Sequence, residues 1–593
     1  MCGIFFSLSQ SGSVFPNEET CCLLRNRGPD SFQAHTFQHD AHVDQADARV
    51  SLCITFISTV LSMRGDHIVS QPLVDTATQS VLCWNGDAWK IAGEPIQGND
   101  TEVILNLLLQ ATQPSVEAST PSDTVQNVAD VIGSISGPFA FVFYDAVNSR
   151  LFFSRDCLGR RSLLQGCDKT GSLMICSLCD GTSTTHFEEV LTDGMHMIDL
   201  TQNIFQGGPE ASTGANATFK AESIQTIPWD NSDSSTGHYL RNPIPPMNMS
   251  TPDGVPPQLS VESPSVSDLE QKLRQSLALR IQNVRAPPGA TTENNVKVAV
   301  LFSGGLDCTV LARISHELLP HDETIDLLNV AFENPRVAAA AGKEAKAVSV
   351  YEICPDRITG RAAFEELQQV CPDRNWRFVA IDIPYVETVA HRDTVKRLMR
   401  PHNTEMDLSI ACALYFASRG QGVAFDSRPT HPEPIPYTTP ARVLLSGLGA
   451  DELFAGYARH GMAFARSGFE GLIEEIHLDV GRLGKRNLGR DNRVIAHWGR
   501  EARFPFLDEE FVAYVSQAPV WEKCGFGVPG SAKESEEDTS LESGLDSEKK
   551  ALRLVALMLG MKQVAREKKR AIQFGSRTAK MEKSKVKGTD ALS

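Results

Sequence analysis

Cys2 stands directly behind the initiator methionine. Once Met1 is removed, that residue carries both a thiol nucleophile and an α-amine, whose pKa of about 7.7–8.0 suits it to take the thiol proton. Downstream residues could complete such a centre. Arg64 offers a bidentate guanidinium for a carboxylate. Asn85 and the Gly86 N–H can receive an oxyanion, Asp87 follows them, and Asp100 can hold an amine. Asn-Gly by itself reads as a hairpin turn; the set gives it meaning. A second constellation is Ser303-Gly304-Gly305-Leu306-Asp307, between the apolar run Val296–Phe302 and the helical pattern Cys308–Leu318. Strand, glycine turn and helix N-terminus make an anion site. Asp307 would repel a bare phosphate, so it reads as a ligand for Mg²⁺ carried by one. A third stretch, Ser446-Gly447-Leu448-Gly449-Ala450-Asp451-Glu452, repeats the theme, with Asp451 as a second Mg²⁺ ligand or a helix N-cap.

Ser-Gly-Gly-Leu-Asp after an apolar strand is neither the dinucleotide-binding glycine pattern nor the lysine-containing P-loop. It resembles the pyrophosphate loop of the ATP pyrophosphatases. Arg27-Gly28-Pro29-Asp30, Met63-Arg64-Gly65, Gln71-Pro72 and Val81–Asp87 together resemble the N-terminal-nucleophile glutaminase domain of the glutamine-hydrolysing asparagine synthetases, and Ser446–Glu452 resembles that family's second loop. The resemblance implies Cys2 as nucleophile, Asn85 and Gly86 as oxyanion hole, and Arg64, Asp87 and Asp100 as glutamine clamp. It implies ATP and pyrophosphate binding by Ser303, Gly304, Gly305, Asp307, Val330, Ser446 and Gly447, with Asp307 and Asp451 on Mg²⁺. A lysine of Ala565–Ser576 would neutralise the departing pyrophosphate: Lys569, or Lys568 or Arg570 by a slip of one. The implied reaction is glutamine hydrolysis to glutamate and ammonia, coupled to ATP-dependent amidation of aspartate to asparagine with release of AMP and diphosphate. Two residues depart from the family pattern. Asp87 replaces its usual Glu, which shortens a contact to glutamine. Leu448 replaces a Glu, which leaves open another acceptor carboxylate or a non-catalytic scaffold.

These residues need a framework. Val81–Asp87, the hairpin Ser136–Asp145 with Leu151–Phe153, and Leu173–Leu178 and Met195–Leu200 read as strands. With a helix over Thr101–Gln110, the resemblance implies an αββα sandwich, assigned to residues 2–205. Residues 206–262, rich in Pro, Ser, Asn and Gly, read as a link without regular elements. Residues 263–593 alternate strands (Ile325–Phe332, Trp376–Ile383, Val443–Leu445) with helices, which predicts a mostly parallel α/β sheet with ligands at its strand ends. Asn334–Lys346 reads as a loop, Pro114–Asp123 as a surface loop, and the Ser/Glu-rich stretch of about 527–549 as a disordered surface insert.

The formal charge of −17 argues against a general nucleic-acid surface. No apolar run reaches the ~18 residues of a membrane span, and the N-terminus lacks the basic start of a signal peptide. Fourteen cysteines without a staple pattern fit a reducing cytoplasmic setting, nuclear presence being left open. Cys176-x-x-Cys179 lacks a second pair and reads as buried thiols rather than zinc ligands. The expected small-molecule partners are glutamine, ATP and aspartate, and a homodimer is compatible with this reading.

Overall fold

The computed structural model describes residues 2–592 apart from 44–47, 114–122, 180–185, 207–216, 231–236, 287–295, 341–348, 429–432, 529–541, 543 and 582–586. Nearly all of the expected Pro114–Asp123 loop and much of the acidic insert lie outside the described residues. The chain divides into two compact units: Met1–Pro243 with Arg397–His402 and Leu483–Gly499, and the remainder.

In the first unit β1 (Gly3–Ser9) is followed by α1 (Glu18–Arg27), β2 (Ser31–Val43) and β3 (Ala48–Val60). These strands join Leu164–Cys167, Leu173–Cys176 and His186–Glu189 in a six-stranded antiparallel sheet with Leu173–Cys176 and β1 at its centre. A seven-stranded sheet contains β4 (Val81–Gly86), β5 (Phe139–Asp145), β6 (Arg150–Arg155), β7 (Gly194–Asp199) and β8 (Ile224–Asp230). The two inner faces share one core, in which Ile4, Phe6 and Phe56 meet Cys83, Val142 and Phe153. The outer face of the second sheet, with Trp84, Phe141 and Phe143, packs on Ile104, Leu108, Val128 and Ile132 of α2 (Asp100–Ala111) and α3 (Thr124–Gly133). A side chain at Gly3 would strike Leu24 of α1, so α1 lies on the outer face of the first sheet. The layers are thus helix, sheet, sheet, helix. β5 is buried along its whole length, which is why its sequence, FAFVFYD, runs apolar without alternation.

The expected link is partly built into this unit. Ile227 of β8 lies opposite Met195 of β7, and Leu240–Arg241 runs parallel to β8. Three spaced apolar residues, Ile224, Ile227 and Trp229, anchor a strand whose Pro and Thr conceal the alternation. The unit also reaches beyond the expected boundary at residue 205. Glu189, half-buried, takes Arg155 at 3.0 Å and Arg493 at 2.7 Å. Arg493 lies in the helix Leu488–Ala496, which contributes from far along the chain.

The second unit holds β9 (Val298–Leu301), α4 (Leu306–Leu318), β10 (Ile325–Phe332), α5 (Pro355–Val370), β11 (Trp376–Ile383) and β12 (Val443–Leu445). Its seven-stranded sheet runs in the order Ile435–Thr438, Gln421–Asp426, β11, β10, β9, β12, Glu501–Arg503. The pairs from β11 to Glu501–Arg503 are parallel, and the two strands at the other edge are antiparallel. Pro335–Ala340 is helical where a loop was expected, a proline at its start setting the first turn. No helix among the described residues is long and apolar enough to cross a membrane.

Candidate functional site

Two sites form, one in each unit. In the first, β1 places Cys2 at its start, and the Cys2 backbone nitrogen donates to Asn85 Oδ1 at 3.0 Å. Asn85 is fully buried near the end of β4, and among the described residues its Nδ2 has no partner. That leaves a buried amide donor beside Cys2. Gly86 is required because a side chain there would strike the Trp84 ring. The Cys2 carbonyl accepts from Arg27 Nε and Nη2 at 3.4 and 3.5 Å, and Arg27 Nη2 also donates to Asn492 Oδ1 at 3.0 Å. Among the described residues no carboxylate is paired with Arg27. Burial, then its neighbour Arg493, lowers its pKa to about 9.

The residues expected to clamp glutamine are brought together. Arg64 Nη1 donates to Asp87 Oδ1 at 3.2 Å and to the Ala88 carbonyl, and Nη2 donates to the Ile96 carbonyl at 3.4 Å. Asp87 therefore holds the guanidinium. Asp100, at the N-terminus of α2, accepts from Trp84 Nε1 and the Ala88 N–H, both at 3.0 Å. Burial raises its pKa, with Arg64 opposing.

In the second unit β9 and β12 are adjacent and parallel, so their following loops emerge side by side at the carboxyl end of the sheet. β10 flanks β9 on the other side, so this is where the strand order reverses, the place where open α/β sheets take ligands. Gly304 has φ +78° and no room for a side chain, because the backbone of Thr359 and Gly360 in α5 lies against it. Thr359 Oγ1 donates to the Ser303 carbonyl at 2.8 Å, and Gly305 N donates to Ser303 Oγ at 3.4 Å. Gly447 comes so near that a side chain there would meet Asp307 Cβ at 2.8 Å. Ser446 Oγ accepts from the Leu448 N–H at 3.3 Å. Val330 lies near the carboxyl end of β10.

Asp307 and Asp451 face each other across a cation. It is Lys549, which the sequence placed at the end of a surface insert. Its Nζ lies 2.9 and 2.7 Å from the two Asp307 oxygens and 2.6 Å from Asp451 Oδ1. Lys569 pairs with Asp451 Oδ2 and lies over the Tyr457 ring, while Arg570 approaches Asp356 at 3.8 Å. Burial opposes charge on Asp451, but the two lysines outweigh it and hold the carboxyl well below its ordinary range. Burial likewise opposes charge on Lys549, and the two aspartates prevail. Two carboxylates are suitable donors for Mg²⁺. In this arrangement a metal bridging them does not fit, because the ammonium fills the space between them. Asp356, at the N-terminus of α5, is pushed up to about 7 by burial, against the pull of Arg570 and Lys569.

Lys549 escaped sequence reasoning because its surroundings are Ser/Glu-rich and its partners lie 242 and 98 residues away (549 − 307; 549 − 451). Another grouping, His316, His321 and Asp373, has metal-ligand residue types. Arg374 Nε donates to His316 Nδ1 at 3.2 Å, which leaves the proton of the neutral ring on Nε2, the nitrogen facing Asp373. Burial, then Arg374, lowers the His316 pKa to about 4. The cluster is thus a hydrogen-bonded one.

The glutamine amidotransferase domain family matches residues 60–181, and the asparagine synthase family matches residues 470–584. The asparagine synthetase domain-containing protein 1 of Homo sapiens is 33% identical over 670 aligned residues, covering 100% of this chain and 97% of its own. The Bos taurus protein of that name is 32% identical over 669, with 100% and 97% covered. A Saccharomyces cerevisiae asparagine synthetase domain-containing protein is 30% identical over 551, with 91% and 86% covered. With its amidotransferase-like unit and a separate nucleotide-binding-type α/β unit, the chain belongs to the asparagine synthetase domain-containing family, within the glutamine amidotransferase and ligase superfamily.

Proposed function

We propose that the protein is a glutamine-dependent amidotransferase that makes an amide from a carboxylate at the expense of ATP, with aspartate as acceptor and asparagine as product. The observation that carries this reading is the buried Asn85, whose Oδ1 holds the Cys2 nitrogen while its Nδ2 stays unpaired. The Cys2 thiol, its proton taken by the α-amine, attacks the glutamine side-chain carbon. Asn85 Nδ2 and the Gly86 N–H receive the oxyanion. The proton passes to the departing ammonia, and water cleaves the thioester to glutamate. Arg64 takes the substrate α-carboxylate and Asp100 its α-amino group, with Asp87 steadying Arg64.

In the second unit the acceptor carboxylate attacks the α-phosphorus of ATP, and diphosphate leaves. Ser303–Gly305 and Ser446–Gly447 cradle the phosphates, and Val330 borders the adenosine. Lys569 and Lys549 meet the charge that grows on the diphosphate. Ammonia then displaces AMP from the acyl group. Magnesium, carried on the phosphates, would supply further charge neutralisation. A second reading keeps both sites and changes the acceptor. Leu448 offers an alkyl group beside the loop, and Gly449 packs on Leu507 and Phe506, so this flank of the loop is apolar.

The test is release of AMP, diphosphate and glutamate by the Met1-processed protein with ATP, Mg²⁺ and glutamine, with and without aspartate. Aspartate-dependent AMP matched by asparagine is the expected result. Glutamate without AMP favours another acceptor, and neither product leaves a scaffold.

A further inference from the structure

Lys549 is seated by more than its ion pairs. It has φ +56° at the start of the helix Lys550–Met558, in the left-handed region that side-chain-bearing residues seldom occupy. Its own N–H donates to the Phe454 carbonyl at 3.0 Å. The two residues before it are held as well: Gly525 N donates to the Ser547 carbonyl at 2.8 Å, and Arg553 Nε donates to the Glu548 carbonyl at 2.9 Å. The backbone that delivers the side chain is thus fixed from three directions. Its stem passes so near Gly456 that any side chain there would overlap both Lys549 Cε and Asp451 Oδ1. Ala455, next to that glycine, is also left-handed, with φ +56°. The path and the end point of this lysine are built into two separate segments.

We propose that the Lys549 ammonium is the resident cation of the nucleotide site: it occupies the seat between Asp307 and Asp451 when no nucleotide is bound, and a divalent ion enters only by displacing it. The distances carry this. Three carboxylate oxygens lie within 2.9 Å of one nitrogen, a shell that leaves no room for a metal ion and its water. The arrangement keeps two acidic loops together without metal. It also makes metal occupancy depend on nucleotide, since phosphates would give the released ammonium a new partner. The inference rests on the amidotransferase reading only in taking these loops as nucleotide-facing.

The probe is Mn²⁺ alone, its binding to the full-length protein followed by loss of the free-ion paramagnetic resonance signal, without ATP, glutamine or acceptor. The wild type is expected to bind no Mn²⁺ here below millimolar concentration. Lys549→Met is expected to bind one equivalent at least tenfold more tightly, and Lys549→Met/Asp451→Asn to lose it. Lys549→Gln, which keeps a polar end, is expected to gain in the same direction and serves if Lys549→Met does not fold. Equal Mn²⁺ binding by wild type and the folded lysine variants would overturn the proposal, as would no binding by any folded lysine variant. Since the readout involves no turnover, failure of the amidotransferase reading would leave it intact.

Discussion

Asn85 does two things with two atoms. Oδ1 anchors the Cys2 nitrogen and Nδ2 is left for an oxyanion, so the atoms can be separated by substitution. Asn85→Asp keeps the acceptor and removes the donor. Both it and Asn85→Ala are expected to lower kcat for glutamine hydrolysis by ~10²–10³-fold. Only Asn85→Ala should also loosen Cys2, which a thermal melt beside the glutamate assay would register. Cys2, Asn85, Asp307 and Asp451 were singled out in the sequence because each sits in a short motif that resembles the family pattern, and the fold brings Cys2 to Asn85 and Asp307 to Asp451. Lys549 was not, since it acts through partners distant in sequence and a basic residue beside a Ser/Glu-rich stretch reads as a solvated charge. Arg27 was read as part of a motif, while its contacts to the Cys2 carbonyl and Asn492 needed the fold. Asp87 lay between these cases: its position was legible, while its pairing with Arg64 needed the fold.

At the level of the element, α5 brings a buried carboxyl, Asp356, close to the lysine-bearing segment, facing Arg570 and Lys569 with Glu567 beyond. Its folded pKa of about 7 lies above the ordinary carboxyl value. As pH rises from about 4 to 7, the unfolded chain gives up this proton before the folded one does, so the group's contribution to stability falls through that window. Asp356→Asn is therefore expected to stabilise the protein at pH 8 by about 1–3 kcal/mol and to change little at pH 4. Denaturant titrations at the two pH values check this. Strands such as β5 and β10 were legible because they are buried on both faces and are mostly apolar. β8 was not, since it keeps three apolar anchors among polar residues and a proline, and its pairing with β7 supplies what its own composition withholds. The turn at Ser303–Gly305 was legible as a glycine turn between a strand and a helix. That α5 presses on it and makes Gly304 obligatory was not.

At the scale of the whole molecule, the first unit depends on charges far apart in the chain. Glu189 is the only acidic side chain paired with both Arg155 and Arg493 among the described ion pairs. Removing one member of a buried, hydrogen-bonded cluster leaves the others uncompensated, at a cost of about 3–5 kcal/mol. Glu189→Gln is expected to lower stability by an amount near that range and to reduce glutamine hydrolysis with it. Denaturant unfolding followed in parallel with glutamate release tests both. The existence of two domains was legible from composition and motif order. The true edge of the first was not, because boundary reasoning looks for polar stretches and cannot see an arginine at 493 answering a glutamate at 189.

The inclusion of Leu483–Gly499 in the first unit has a temporal consequence. Domains made early on the ribosome commonly fold while the remainder is still being synthesised. Here the residues around Cys2 are translated long before residues 483–499, yet Arg27 waits for Asn492 and Glu189 waits for Arg493. The amino-terminal unit cannot close its electrostatics until translation has passed Gly499. A nascent chain halted at Pro243 would expose an unfinished edge to chaperones, and no single cut in the gene would free this half as a self-sufficient protein.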